Sequence, residues 1–124
     1  MLKWLRGLRE KRQASPQFES AVVVTDAGGV ITATYPNGDQ QRVAWDDLAS
    51  IEVHTNDTGP WGADVWWVLR GASGSCSYPQ GATGDAEMIP KYQALPSFDH
   101  EELIRAMGCT DNQQFICWSR TRPT

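Results

Sequence analysis

Short strand-like segments that end in turn residues fill the chain over residues 21–78, and this pattern restricts the fold more than any other feature. The segments AVVVT (21–25) and VITATY (30–35) are rich in β-branched residues, and QQRVAW (40–45) follows the dipeptide Asn37-Gly38. Asn-Gly between two such runs is a strong hairpin signal, because both turn residues adopt positive φ. We therefore predict consecutive antiparallel strands joined by tight turns.

Two further segments predict strands with different surroundings. In SIEVHT (50–55), Ile51 and Val53 alternate with Glu52 and His54, which indicates a strand that is half buried. The segment DVWWVLR (64–70) is apolar on both faces, so we expect a central strand that is covered on both sides. Between the hairpin and these strands, residues 46–49 predict a short helical turn with Asp46 as its N-cap.

Helical patterns appear only in the last third of the chain. Residues 84–95 have helical composition, and Pro90 either kinks this segment or marks the start of the helix. A second helix is predicted after Asp99 as N-cap, with Glu102 at capping-box spacing and Gly108 at its end. Its predicted apolar stripe consists of Leu103, Ile104 and Met107. The segment QQFICWS (113–119) predicts a closing strand with Phe115 and Cys117 in the core.

This order of elements predicts one α+β domain over residues 21–120. We expect a meandering antiparallel sheet of about six to seven strands, two C-terminal helices and a closing strand. Residues 13–20 are expected to be a linker, since Pro16 and small polar residues interrupt a helix there. Residues 121–124 form a tail.

The charge distribution divides the chain into a basic leader and an acidic domain. Residues 1–12 carry five of the eleven Lys and Arg and one Glu, for a net charge of +4, whereas the other 112 residues have a net charge of −8. An acidic domain argues against nucleic-acid binding, which requires a basic face. It favours a basic protein partner, because opposite fields steer encounter.

Other features argue against export and structural zinc. The sequence has no signal-peptide pattern and no apolar run of the ~18 residues that span a membrane. The three Cys (Cys76, Cys109 and Cys117) are widely spaced and form no C-x-x-C pair, so we expect free thiols in a cytoplasmic protein and no zinc site.

Several motifs resemble those of a family of small bacterial proteins of uncharacterised function. They are W-D-D-L at 45–48, T-x-D-x-G-P at 55–60, D-x-W-W-x-L at 64–69 and F-x-C-W at 115–118. The resemblance covers residues 21–120 and implies no particular activity. At the level of the fold, the order of strands around W-D-D-L is similar to the opening of a pleckstrin-homology-like sheet.

The leader has the pattern of a short amphipathic helix. Met1, Leu2, Trp4, Leu5 and Leu8 fall within one apolar arc, with Lys3 and Arg6 opposite. A basic amphipathic helix that carries a Trp can lie in a membrane interface. The alternative is that the leader docks on its own acidic domain.

The loop over residues 56–63, with Asp64 directly after it, contains the strongest candidate binding residues. Trp61 is an expected binding anchor, and Asp57 and Asp64 are expected to flank it. Together with His54 these acids could ligate a metal, but their spacing matches no established calcium or zinc pattern. An Asp in a Gly-Pro loop is more often a turn cap. We therefore predict Trp61, Asp57, Asp64 and Trp4 as binding residues, and no metal or cofactor.

Catalytic constellations are weak in this sequence. Cys109, His100 and Asp111 would suit a nucleophile, base and orienting acid, but the predicted helix separates His100 from Cys109 by roughly 13 Å. The end of a helix also disfavours a thiolate at Cys109. We predict a non-enzymatic module that binds a basic protein, as inhibitor or immunity-type proteins do. The alternatives are a membrane-surface module held by the leader and an enzyme with an acidic loop site.

Overall fold

A computed structural model describes residues 16–56, 65–109 and 111–120 of the chain. Its first three strands form an antiparallel sheet in the order β1-β2-β3, and these are β1 Val23–Ala27, β2 Val30–Thr34 and β3 Gln40–Ala44. In the β2–β3 turn the Tyr35 amide donates to the Asp39 carbonyl at 2.8 Å, and Gly38 adopts a φ of 93°. The hairpin predicted from Asn37-Gly38 is confirmed. The expected positive φ at both residues is wrong, because Ser97 is the non-glycine residue with a positive φ in the described part of the chain.

The second sheet has four antiparallel strands in the order β6-β5-β4-β7. These strands are β4 Leu48–Thr55, β5 Val65–Gly71, β6 Ser75–Pro79 and β7 Gln113–Ser119. The internal position of β5 confirms the predicted central place of this apolar strand, but the predicted full cover on both faces is wrong. Trp67 and Leu69 on one face of β5 are fully buried, whereas Trp66 and Val68 on the other face are half-buried.

Seven strands are thus present in the described residues, as predicted, but they form two sheets. A 3₁₀ turn over Trp45–Asp47 separates β3 from β4, and side chains join the sheets where β6 approaches β2 and β3. The Tyr35 hydroxyl donates to the Ser77 carbonyl at 2.6 Å, and the Ser77 amide donates to Gln41 Oε1 at 2.8 Å. The α+β class is confirmed.

The prediction that Asp46 caps the turn after β3 is wrong. The capping position belongs to Ala44, which makes no side-chain capping bond. The neighbouring Asp47 makes the structural contacts instead. Its Oδ2 accepts hydrogen bonds from the Ser73 amide at 3.0 Å and the Ser73 hydroxyl at 2.9 Å. This carboxylate therefore braces the β5–β6 turn.

Three helices are described, α1 Pro16–Ala21, α2 Asp85–Gln93 and α3 His100–Met107. The second half of the expected linker forms α1, and Pro16 occupies the first helical position, where a missing N–H costs nothing. Helix α2 begins before Pro90 and continues through it. Asp99 Oδ1 accepts from the Glu102 amide at 3.0 Å and Gly108 ends α3, which confirms both predicted caps.

The core lies between the sheets and the helices α2 and α3. Alternate residues of the strands enter it, because successive side chains of a strand point to opposite faces. Its side chains include Val24, Ile31, Val43, Ile51, Val53, Trp67, Leu69, Met88, Tyr92, Leu103 and Ala106. Phe115 and Cys117 of β7 are also buried, as predicted.

The predicted apolar stripe of α3 needs a correction. Leu103 is buried, but Ile104 is 71% exposed and Met107 is 37% exposed. The buried partner of Leu103 is Ala106, whose small side chain allows the helix to approach the sheet. Helix α3 therefore turns one apolar pair inward and leaves the other at the surface.

Candidate docking surface and the Glu52 cluster

The four binding residues predicted from the sequence, Trp4, Asp57, Trp61 and Asp64, lie outside the described residues. Their convergence with His54 stays a prediction. His54 is among the described residues and lies on β4, two residues before residue 56, where the first described range ends. Its surroundings contain a polar group that the sequence did not single out.

Four polar side chains meet on the face of the second sheet that is opposite the core. Glu52 Oε2 accepts hydrogen bonds from Arg70 Nε and Ser50 Oγ, both at 2.9 Å, and Glu52 Oε1 lies 2.8 Å from His54 Nε2. The two-residue period of β4 puts three of them on one face, and antiparallel pairing puts Arg70 opposite Ser50. We name Ser50, Glu52, His54 and Arg70 the Glu52 cluster.

Glu52 is only 7% exposed, so its charge depends on these contacts. Burial by itself raises the pKa of a carboxyl group. Here hydrogen bonds from His54, Ser50 and Arg70, with the positive charge of Arg70, outweigh burial and hold the pKa of Glu52 below its ordinary value. The carboxylate is therefore ionised at neutral pH.

A carboxylate that orients an imidazole is a component of proton-transfer sites, but the Glu52 cluster has no nucleophile aimed at the ring. The Ser50 hydroxyl donates to Glu52. Among the residues that the structure describes, no group of three or more His, Cys, Asp or Glu is placed to hold a metal ion. The contacts of the cluster are those of a buried charge whose hydrogen-bonding capacity is met by its neighbours.

The structure does not assemble Cys109, His100 and Asp111 into a catalytic group. Cys109 Sγ lies 3.5 Å from Thr55 Oγ1 and 3.7 Å from the backbone carbonyl of Asp111, not from its carboxylate. The His100 ring packs edge-on against Phe98 with centroids 5.1 Å apart.

Among the large apolar side chains of the described residues, the most exposed is Ile104 of α3, at 71%, ahead of Ile116 at 45%. Ile104 and Met107 are three residues apart, and Glu101 precedes Ile104 by three, so all three share the outer side of the helix. Gln80 Nε2 donates to Met107 Sδ at 3.4 Å, which places one end of this group beside the turn after β6. We name Glu101, Ile104 and Met107 the α3 patch.

The net charge of the domain that carries the α3 patch favours a cationic ligand. Arg105 pairs with Glu102 on the same helix, and each of the other described cations also has an intramolecular acceptor. These contacts are Arg70 with Glu52, Lys91 with Asp26, Arg42 with Gln40, and Arg120 with the carbonyls of Leu48 and Trp45. Exposed acids include Asp39, Asp46, Glu87, Glu101 and Asp111. These contacts leave the cations charged, but acids outnumber them, since the 112 residues after the leader carry a net charge of −8.

Comparisons with known proteins give no assignment, since no family model, curated protein or solved structure matches the chain. The resemblances to a small bacterial family and to a pleckstrin-homology-like sheet therefore stay predictions. No helix in the described parts of the chain is long and apolar enough to cross a membrane.

Proposed function

We propose that this protein is a non-enzymatic acidic module that binds a basic protein through the α3 patch. The observation that carries the proposal is the position of Ile104, which is 71% exposed on a helix that buries its other apolar side. Contiguous exposed apolar patches rimmed by polar residues mark interaction sites, and Ile104 with Met107 would be the centre of such a patch. The partner would place an apolar side chain on Ile104 and Met107, and a cation near Glu101.

The acidity of the domain supports the choice of a basic partner. The 112 residues after the leader carry a net charge of −8, and complementary fields raise the rate of encounter. A nuclease, whose nucleic-acid site is cationic, has the right chemistry. In that case the module would act as an inhibitor or immunity-type protein that covers the cationic site.

The test compares immobilised full-length protein with two single variants in the native lysate at low salt. Ile104→Asp alters the α3 patch, and Thr25→Asp introduces the same carboxylate at an exposed position of β1. We expect a basic protein to be retained by the wild type and by Thr25→Asp, lost with Ile104→Asp, and released as salt rises. Retention of the same protein by Ile104→Asp, or retention of acidic proteins only, would overturn the proposal.

A further inference from the structure

The α3 patch and the beginning of the described chain lie against the same turn. This turn, residues 80–84, follows β6 and leads into α2. On one side the Gln80 amide group contacts Met107 Sδ at 3.4 Å. On the other side α1 packs on the turn, because the Thr83 hydroxyl donates to the Ser20 carbonyl at 2.6 Å.

The contact between α1 and this turn is close. The Glu19 side chain lies against Gly81, because a Cβ atom added at Gly81 would be 2.9 Å from Glu19 Oε1 and 3.4 Å from Glu19 Cβ. Glu19 is one helical turn after Pro16, where α1 begins. The beginning of the described chain and the end of α3 that carries Met107 are therefore linked through one turn, residues 80–84.

Residues 1–12 have the chemistry and the length to reach the α3 patch. Even as a helix, fifteen residues span about 22 Å, whereas the eight residues of α3 span about 12 Å. Leu2, Trp4, Leu5 and Leu8 match the apolar pair Ile104 and Met107, and the net charge of +4 on residues 1–12 opposes the −8 of the remaining chain.

We infer that residues 1–12 dock on the α3 patch of their own chain and occupy the site that we propose for the basic partner. The leader then acts as an intramolecular competitor, and a partner binds only by displacing it. Covalent connection gives the leader an effective concentration in the millimolar range, so a small patch is sufficient. The inference rests on the proposed function for its biological meaning, but the docking itself can be tested without a partner.

Trypsin cleavage within the leader of the full-length protein measures this docking, since the leader contains five of the chain's eleven Lys and Arg. A docked segment is cleaved in proportion to the fraction of time that it is released. We expect Ile104→Asp to accelerate cleavage in residues 1–12 by about five-fold or more, and Thr25→Asp to leave it unchanged. The unfolding midpoint of each variant confirms that both remain folded. Equal cleavage rates in all three proteins would overturn the inference.

Two further experiments identify which segment contacts the α3 patch. Leu5→Asp in the leader should accelerate cleavage as Ile104→Asp does, and combining the two changes should add nothing, because both disrupt one contact. Additive effects would contradict a shared contact. A cleavage rate that is independent of protein concentration supports docking within one chain, whereas faster cleavage on dilution indicates docking on a second copy and overturns it. If cleavage is unaffected but Ile104→Asp still loses a basic partner, the proposed function survives and the leader contact does not.

Discussion

Replacement of Glu52 provides a stringent test of how the charges in this fold are balanced. Glu52→Ala leaves Arg70, Ser50 and His54 without the acceptor that lies within 2.9 Å of each. Hydrogen bonds to a charged group contribute about 1.5–3 kcal/mol each. Arg70 is half exposed and recovers water, so its share is small. Ser50 and His54 are partly exposed and regain part of their hydration, so each remaining contact contributes about 1 kcal/mol, a net loss of about 2 kcal/mol in the free energy of unfolding.

A conservative variant separates the charge from the hydrogen bonds. The amide oxygen of Glu52→Gln can still accept from Arg70 and Ser50, so this variant removes the charge and keeps two of the hydrogen bonds. We therefore expect a loss of about 1 kcal/mol. Asp111→Ala removes an exposed carboxylate and should change stability by less than about 0.5 kcal/mol. With a urea m-value of roughly 1.5 kcal/mol/M, the Glu52→Ala midpoint falls by roughly 1.3 M, which tryptophan fluorescence measures.

The pH dependence of the free energy of unfolding shows whether the charge of Glu52 stabilises the fold. Because the folded protein holds the pKa of Glu52 below its ordinary value, the carboxylate stabilises the fold above the pKa of the unfolded chain. This contribution is lost as the pH falls through the lowered pKa of the folded state. The difference between wild type and Glu52→Gln should be largest above about pH 5 and shrink towards pH 3. A difference that does not change with pH, or a Glu52→Ala protein as stable as wild type, would refute this account.

Two other substitutions test the backbone and the two sides of α3. Gly84→Ala should lower stability by more than about 2 kcal/mol in urea unfolding, since Gly84 has a φ of 95° and an added Cβ would lie 2.2 Å from the Val24 carbonyl oxygen; an unchanged midpoint would contradict this. Leu103→Ala should lower the free energy of unfolding by about 2–4 kcal/mol, because it leaves a cavity in the core. Ile104→Ala should change stability by less than about 0.5 kcal/mol, and similar losses at Leu103 and Ile104 would contradict the orientation of α3.

The predictable parts of the fold are those with local causes. Asn37-Gly38 determines its hairpin through backbone conformation, and the Asp99 and Gly108 caps determine the ends of α3 through hydrogen bonds within a few residues. The division into two sheets has no such cause. It depends on contacts such as that of Tyr35 with Ser77, 42 residues later, which no local pattern contains.

The candidate sites were harder to predict because they depend on which side of an element is buried. Leu103 with Ala106 and Ile104 with Met107 are both apolar pairs at a spacing of three, so the helical period alone cannot choose between them. The sheet decides, because the small Ala106 side chain allows a closer approach than Met107. The Glu52 cluster was hard to predict for a similar reason. The alternation of β4 predicts that Glu52 and His54 share the outer face, but it does not predict that Arg70 of β5 lies beside them.

The two proposals together make the leader a quantitative control on binding. If residues 1–12 cover the α3 patch, only the open fraction of molecules binds a partner, and the apparent dissociation constant rises by the reciprocal of that fraction. Leu5→Asp should then tighten partner binding by the same factor that it accelerates leader cleavage, because both measure the open fraction. Ile104→Asp should accelerate cleavage but weaken binding, since it destroys the surface that leader and partner share. This opposite response of two variants that open the same contact distinguishes competition for the α3 patch from a leader that merely stabilises the domain.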